Sequence, residues 1–404
     1  MTVGIIGAGA SGMAAALAAA ENTNVKVILM ERQTRVGRKL QATGNGRCNL
    51  SNIYSDKGGY HGENPEFAKT AIESFPPNAT LQWFADLGLY TVTEDSGKVY
   101  PYSDQANSVV DILRLNLNKP NIDLKLGFEV EKIQKSNTGF TVIGNGETVV
   151  CDKLIVACGG LAGSKLGGTM SGYKLLAKLG HKSTKLRPSL VQIKTSWGAI
   201  SGLKGVRANC YVQILRDGVL FAESTGELQL TEQGISGPVV FEISRDVCYG
   251  AGEWTAKLDF LPNLTENKVN EIIAHRRASA LPMEELLTGI LHNRLGRVLT
   301  KTAGVKGKEL ACELSNREAE ELCRVIKSLE IPLTEPLGMD SAQVTAGGVL
   351  TSQFDENTME SRIVPGLYAC GEVLDVDGDC GGYNLQWAWS SGRMAGLHAG
   401  KESK

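Results

Sequence analysis

Apolar and small residues fill the start of the chain in three blocks. Val3–Ile6 is a short apolar run, Ser11–Glu21 is rich in alanine, and Val25–Met30 is a second apolar run that ends at Glu31. A buried strand, a tight turn, a helix with a small-residue surface and a second strand make one βαβ unit. Residues 65–119 mix apolar and polar positions at helical spacing, as in "NATLQWFADLGL" and "NSVVDILRLNLNK". From residue 122 the pattern shortens to that of strands. Turn residues at Asn137–Gly139 and Gly144–Gly146 predict a meander, which ends in a buried strand, Leu154–Ala157, and a glycine pair.

Around Arg187–Pro188 the texture changes. Residues 187–262 read as short strands, among them "NCYVQILRDGVLFAE" and "EWTAKLDFL". Residues 265–330 read as helices: "TENKVNEIIAHRRA", "PMEELLTGILHNRLGRVL" and "NREAEELCRVIKSL". Near 337–350 the chain returns to strand and glycine, and its last stretch reads as strand, loop and helix. The expected organisation is a nucleotide-binding domain in two parts, 1–186 and 339–404, around an inserted β-rich and helical domain, 187–338.

Composition adds limits. With 404 residues, 42% hydrophobic and 21% charged, the chain is long enough for large cores without metal or disulfide staples. A net charge of −2 gives no basic field for nucleic acid or a membrane surface. Nine cysteines without a CxxC pair, and five scattered histidines, point to a reducing compartment, hence the cytoplasm, and to no metal. The apolar start reads as strand and helix rather than a secretion signal, because no Lys or Arg precedes it and "GAGASG" interrupts it.

Gly7-Ala8-Gly9-Ala10-Ser11-Gly12 is GxGxxG between a strand and a helix. Gly7 permits the turn, Gly9 lets the backbone approach a pyrophosphate, and Gly12 lets the helix pack on the strand. The phosphates would sit on the helix N-terminus, with Glu31 accepting from a ribose hydroxyl. Three further features favour FAD over NAD. Leu154–Ala157 ends in Cys158-Gly159-Gly160. The stretch "GLYACGE" repeats a strand ending in glycine and an acid, Gly371 and Glu372, suited to a ribityl hydroxyl. Gly381-Gly382-Tyr383-Asn384 opens the final helix, whose N-terminus would stabilise negative charge on a reduced flavin. No second GxGxxG occurs in mid-chain, so NAD(P)H as a transient electron donor would dock without a Rossmann domain of its own.

"TGNGRCNLSN", residues 43–52, is an odd loop to follow a nucleotide-binding strand. Arg38 and Lys39 precede it, where adenosine and pyrophosphate are expected. Gly44 and Gly46 allow close backbone approach, and Arg47 is a candidate partner for phosphate or flavin.

The stretches "ERQTRVGRKLQATGNGRCNLSN", "GELQLTEQGISGPVVFEIS", "VTAGGV" and "TMESRIVPGLYACGEVLDVDGDCGGYNLQWAWSSGRMAG" resemble the bacterial BaiN/YhiN-type flavoproteins, often described as aminoacetone-oxidase-like, over nearly the whole chain. The resemblance implies an α/β fold of the two-dinucleotide-binding Rossmann type, with an inserted β-barrel-like and helical domain that caps the flavin, and non-covalent FAD. Carried over motif by motif, the flavin contacts are Ala10, Ser11, Glu31, Arg32, Arg38, Lys39, Gly46, Val130, Glu372, Asp379, Asn384 and Leu385. Asp375 and Asp377 compete with Asp379 for its place. One departure is "LGGTMSGY", Leu166 to Tyr173, with Ser171 where the family usually has an acid.

The expected function is an FAD-dependent oxidoreductase. The family includes reductases of conjugated C=C bonds in 3-oxo bile-acid intermediates and an amine oxidase of aminoacetone. The reductase is the favoured expectation, with Arg47 and Tyr383 as candidate carbonyl or proton donors. A flavin-bound binding or sensing protein is the alternative of another class, on the locally basic "AHRRASA" and "LHNRLGRVLTKTAGVKGK". Cys48, flanked by arginine, is weighed as a low-pKa thiol against a small packed residue. His61 and His181 are expected at the surface or as caps. Of Trp387 and Trp389, one is expected to pack inward and one to border the flavin.

Overall fold

The computed structural model describes residues 1–247, 249 and 251–401. The chain divides into two units, Met1–Pro188 with Gln343–Lys404, and Ser189–Ala342.

In the first unit the chain runs through β1 (Thr2–Ile6), α1 (Ala10–Ala19), β2 (Lys26–Glu31), α2 (Arg38–Ala42), β3 (Ser51–Asn52) and β4 (Tyr60–His61). It continues through α3 (Glu66–Ser74), α4 (Pro77–Asp86), β5 (Thr91–Thr93), β6 (Lys98–Pro101), α5 (Ala106–Asn116) and β7 (Ile122–Leu126). Then follow β8 (Val130–Lys135), β9 (Phe140–Gly144), β10 (Glu147–Cys151), β11 (Lys153–Val156), α6 (Ser171–Lys178) and β12 (Arg187–Ser189). The inserted unit holds β13 (Ile193–Thr195), β14 (Arg207–Arg216), β15 (Val219–Leu230), β16 (Gly234–Ser236), α7 (Pro238–Ile243) and β17 (Trp254–Asp259). It is completed by α8 (Glu266–Arg277), α9 (Asn293–Thr302), α10 (Asn316–Ser328) and β18 (Leu329–Pro336). The return adds β19 (Val344–Ala346), β20 (Leu367–Ala369), β21 (Asp377–Gly378) and α11 (Tyr383–Ala399).

The first unit is built on a five-stranded parallel sheet, β20-β11-β1-β2-β7, with Val3 opposite Val27 and Lys153. Its central strands are rich in Val, Ile and Leu, as a parallel sheet covered on both faces requires; α1 and α11 pack on it, and so does β10. The expected meander is resolved differently. β7 and β11 belong to this sheet, and only β8, β9 and β10 form a separate antiparallel sheet. The periodicity of a strand does not say which sheet it joins.

Alanine and glycine explain how α1 and α11 pack. A Cβ on Gly392 would lie 2.3 Å from the Ser11 carbonyl oxygen, and one on Gly396 2.3 Å from that of Ala15. The two backbones therefore touch along a stripe of small residues.

In the inserted unit, β13-β16-β15-β14-β17-β18 close into a barrel. Strand β14 alternates in burial, and Cys210, Val212 and Ile214 point inward with Leu228, Ala256, Leu258 and Ile331, all fully buried. Helix α10 starts with a capping box, Ser315 accepting from the Glu318 N–H while Glu318 accepts from the Ser315 N–H. The single helix expected over "PMEELLTGILHNRLGRVL" is not one helix. Residues Met283–Glu285 make a 3₁₀ turn, Gly289 is left-handed at φ +83°, and His292 caps α9. No helix among the described residues is long and apolar enough to cross a membrane.

Candidate functional site

The turn from β1 into α1 shows why its glycines are glycines. Gly7 has φ +101°, and a Cβ there would lie 2.5 Å from the Ala157 oxygen; one on Gly12 would lie 1.8 Å from the Gly7 oxygen. These two serve internal packing. A Cβ on Gly9 would meet nothing within 4 Å, so Gly9 faces open space at the N-terminus of α1. The first N–H groups of a helix have no intrahelical partner, and those of Ala10 and Ser11 face the same end.

Glu31 ends β2, and its carboxylate accepts from the Ala8 N–H at 2.7 Å and the Gln33 N–H at 2.8 Å. The Phe128 N–H donates to the Glu31 oxygen, which brings the buried start of β8, Val130, beside the end of β2. Arg32 donates to the Gly167 oxygen at 2.8 Å, and Arg38 to the Gln33 side chain at 2.8 Å. The departing loop 166–173 therefore packs against the segment after β2. Ser171 sits in the first turn of α6, its N–H held by the Thr169 hydroxyl.

Lys39, on α2, is paired with Glu372 at 2.8 Å, and Glu372 also accepts from the Thr345 N–H at 2.9 Å. Gly371, with φ +75°, lies on the first turn of α1: a Cβ there would be 2.5 Å from Ser11 Oγ. The structure thus joins the start of α1, Lys39 and the Gly371-Glu372 pair, although the last is far away in sequence.

The loop "TGNGRCNLSN" is tied to the start of α11. Asn52 donates to the Gly381 oxygen at 2.9 Å, the Ser51 hydroxyl to Gln386 at 2.6 Å, and Trp389 to the Leu50 oxygen at 2.8 Å. A Cβ on Gly382, at φ +104°, would lie 2.3 Å from the Ser51 oxygen. The loop's second half is a clamp on the N-terminus of α11. Its first half is exposed, and a Cβ on Gly46 would meet nothing within 4 Å. Arg47 is drawn elsewhere. It pairs with Asp104 at 2.5 Å and Glu94 at 3.2 Å and lies over the Tyr100 ring. Two carboxylates answer its charge there.

At the start of α11, Asn384 bonds Gly378 in both directions, at 2.9 and 2.7 Å. Its side chain is spent on the β21 turn, so only its backbone N–H faces the helix end. Leu385 packs on the core. Asp375 and Asp377 are buried, whereas the Asp379 side chain is 46% exposed, so Asp379 is the accessible acid of that loop. Its partner was missed in the sequence: His61 Nε2 lies 2.6 Å from Asp379 Oδ1. The two are 318 residues apart and share no local signal. The Tyr383 ring packs edge-on to Tyr60, and burial raises its phenol pKa.

Burial decides other expectations, favouring the packed reading of Cys48 and correcting those of the tryptophans and His181. The Cys48 thiol is fully buried, which pushes it up to about 12 despite the neighbouring arginine. It is a packed residue. Trp387 and Trp389 are both core. His181 is buried, between the Leu176 oxygen and the Ser361 hydroxyl.

Two helix N-termini, an open Gly9, acids at Glu31 and Glu372 and cations at Arg32, Arg38 and Lys39 form a donor set that fits a flavin adenine dinucleotide. Residues 1–398 match the HI0933-like protein Rossmann domain.

The chain belongs to the HI0933-like family.

It is an FAD-dependent oxidoreductase with a Rossmann-type fold. Among similar proteins, the 3-dehydro-bile acid Δ(4,6)-reductase of Clostridium scindens is 40% identical over 403 residues, 98% of each chain. The ribosomal RNA dihydrouridine synthase of Escherichia coli is 35% identical over 399 residues, 96% of this chain and 95% of that one. Among solved structures, the open conformation of a flavocytochrome c3 fumarate reductase aligns with a TM-score of 0.48 at 17% identity, over 99% of this chain and 78% of that one.

Proposed function

We propose that this chain is an NAD(P)H-dependent reductase of a C=C bond conjugated with a carbonyl, acting on a 3-oxo steroid or bile-acid-like substrate. The observation that carries the reading is the 40% identity to the bile-acid reductase across both full lengths. When bound, FAD supplies the hydride chemistry. The chain supplies position and charge. Ala10 and Ser11, at the N-terminus of α1, offer N–H groups to the pyrophosphate, with Gly9 leaving room for it. Glu31, Arg32 and Val130 hold the adenosine end, and Arg38 keeps their segment in place. Lys39 and Glu372 offer a donor and an acceptor to the ribityl chain. The first turn of α11, with Asn384 and Leu385, favours negative charge at the flavin end.

A second reading has its own support. The E. coli relative is named for ribosomal RNA, and the uracil C5=C6 bond is also conjugated with a carbonyl. The same hydride and proton would reduce it. The chain's net charge of −2 favours the small substrate, because RNA affinity rests largely on phosphate neutralisation.

The test is anaerobic. NADH or NADPH is added to the purified holoprotein and bleaching of the flavin band is followed. An unsaturated 3-oxo steroid or a uridine-containing RNA is then added. Return of colour with the steroid alone supports the proposal, and return with RNA alone supports the second reading. Bleaching by aminoacetone, with peroxide once air enters, would establish the amine oxidase instead.

A further inference from the structure

We infer that His61 is the proton donor of the reductive step and that Asp379 is its positioning residue. The inference rests on the ene-reductase reading above. Reduction of a conjugated C=C bond needs two deliveries. FAD, once bound and reduced by NAD(P)H, would supply the hydride for the β-carbon; as the C=C pair moved toward the carbonyl oxygen, a side chain would have to supply the proton for the α-carbon. Water would reprotonate that side chain, and NAD(P)H would restore the electrons. A side chain suited to the second delivery is accessible, is fixed in orientation and carries an exchangeable proton.

His61 meets these conditions in the geometry. It lies on β4, which pairs with β21, His61 opposite Asp377. This ribbon leads directly into the N-terminus of α11, the flavin end of the site. Nε2 is 2.6 Å from Asp379 Oδ1, so the carboxylate accepts from Nε2–H and leaves Nδ1 as the exchanging nitrogen. The pair is partly exposed, 38% for the His61 side chain and 46% for Asp379, and so is reachable.

The surroundings hold the pair in place. The Asp379 N–H donates to the Gly59 oxygen at 2.9 Å, and Asn384 fixes Gly378 from both sides. Gly59 has φ +84°, and a Cβ there would lie 2.8 Å from Asp379 Oδ2 and 2.7 Å from the Tyr383 ring. Other titratable groups in this neighbourhood include Asp56, Tyr60, Glu63, Asp375, Asp377 and Tyr383. The Asp375 carboxylate accepts from the Glu63 N–H. Tyr383 is the weaker candidate, since burial makes its phenol a poorer acid.

Two readouts on the FAD-loaded protein test the inference. In the first, holoenzyme reduced by dithionite is mixed anaerobically with an unsaturated 3-oxo steroid, or with a uridine-containing RNA, and flavin reoxidation is timed. His61→Gln slows reoxidation about 100-fold and flattens its pH profile, with FAD affinity unchanged. Reoxidation within about twofold of wild type would overturn the assignment. The second readout does not depend on turnover. NMR of protein carrying 15N-labelled histidine follows the His61 Nε2–H resonance. Held by Asp379 it is protected from solvent exchange; Asp379→Ala loses it, and Asp379→Glu restores it. A resonance that Asp379→Ala leaves unchanged overturns the pair. If neither substrate reoxidises wild-type flavin, the functional reading fails and the assignment of His61 as donor to an enone fails with it. The NMR result then separates that failure from absence of the pair.

Discussion

The His181 imidazole lies against the Phe354 ring, centroids 5.0 Å apart, with Nε2 2.8 Å from the Ser361 hydroxyl. Burial lowers its pKa below the ordinary 6.5. The unfolded chain therefore binds more protons than the folded one below about pH 6.5. Stability from this residue is present above that pH and is lost as pH falls toward the folded value, with a limiting slope of about 1.4 kcal/mol per pH unit. Urea unfolding of the first unit between pH 8 and 5 should show this loss, and His181→Gln should flatten it. Single residues were the least legible level of the sequence. "GRCN" says that Cys48 neighbours an arginine. It does not say that the thiol turns inward while Arg47 swings out to Asp104 and Glu94, on segments 47 to 57 residues away. His61 looked isolated for the same reason: its partner is distant in the chain.

Elements were legible where their cause is local. The βαβ start follows from three apolar blocks and GxGxxG. Where the cause is tertiary, the reading ran out, as with β7 and β11 joining the parallel sheet. The contact of α1 with α11 lies between these cases. "SSGRMAGLHAG" spaces Gly392, Gly396 and Gly400 four apart, and α1 is alanine-rich, but only the fold shows that one stripe meets the other. Because a Cβ on Gly396 would lie 2.3 Å from the Ala15 oxygen, which is backbone, no side-chain rotation can relieve it. Gly396→Val should force α1 away from α11, at about 1–3 kcal/mol or more. Since the N-terminus of α1 belongs to the candidate FAD site, the variant should lose FAD affinity together with thermal stability. Gly400→Ala should be far milder, because its nearest contact is 3.1 Å. Calorimetry and flavin retention on gel filtration check both.

For the whole molecule, the texture change near 187 reflects a difference between barrel strands and parallel strands, alternating in burial in β14 and continuously buried after Thr2 in β1. The two units have separate apolar cores, one around the parallel sheet and α11, the other inside the barrel and under its helices. The candidate FAD residues all lie in the first unit. A ligand that binds only the folded form stabilises what it binds by RT ln(1 + [L]/Kd), about 2.7 kcal/mol at a hundredfold excess over Kd. Added FAD should therefore raise the unfolding transition of the first unit and leave that of the second where it was. Leu258, fully buried in the barrel, offers the converse. Leu258→Ala should destabilise the second unit by about 2–5 kcal/mol without weakening FAD binding. Scanning calorimetry of wild type and Leu258→Ala, each with and without excess FAD, reads both effects at once. Two transitions that respond separately are expected. A single transition that FAD raises and Leu258→Ala lowers as one would show that the two cores unfold together.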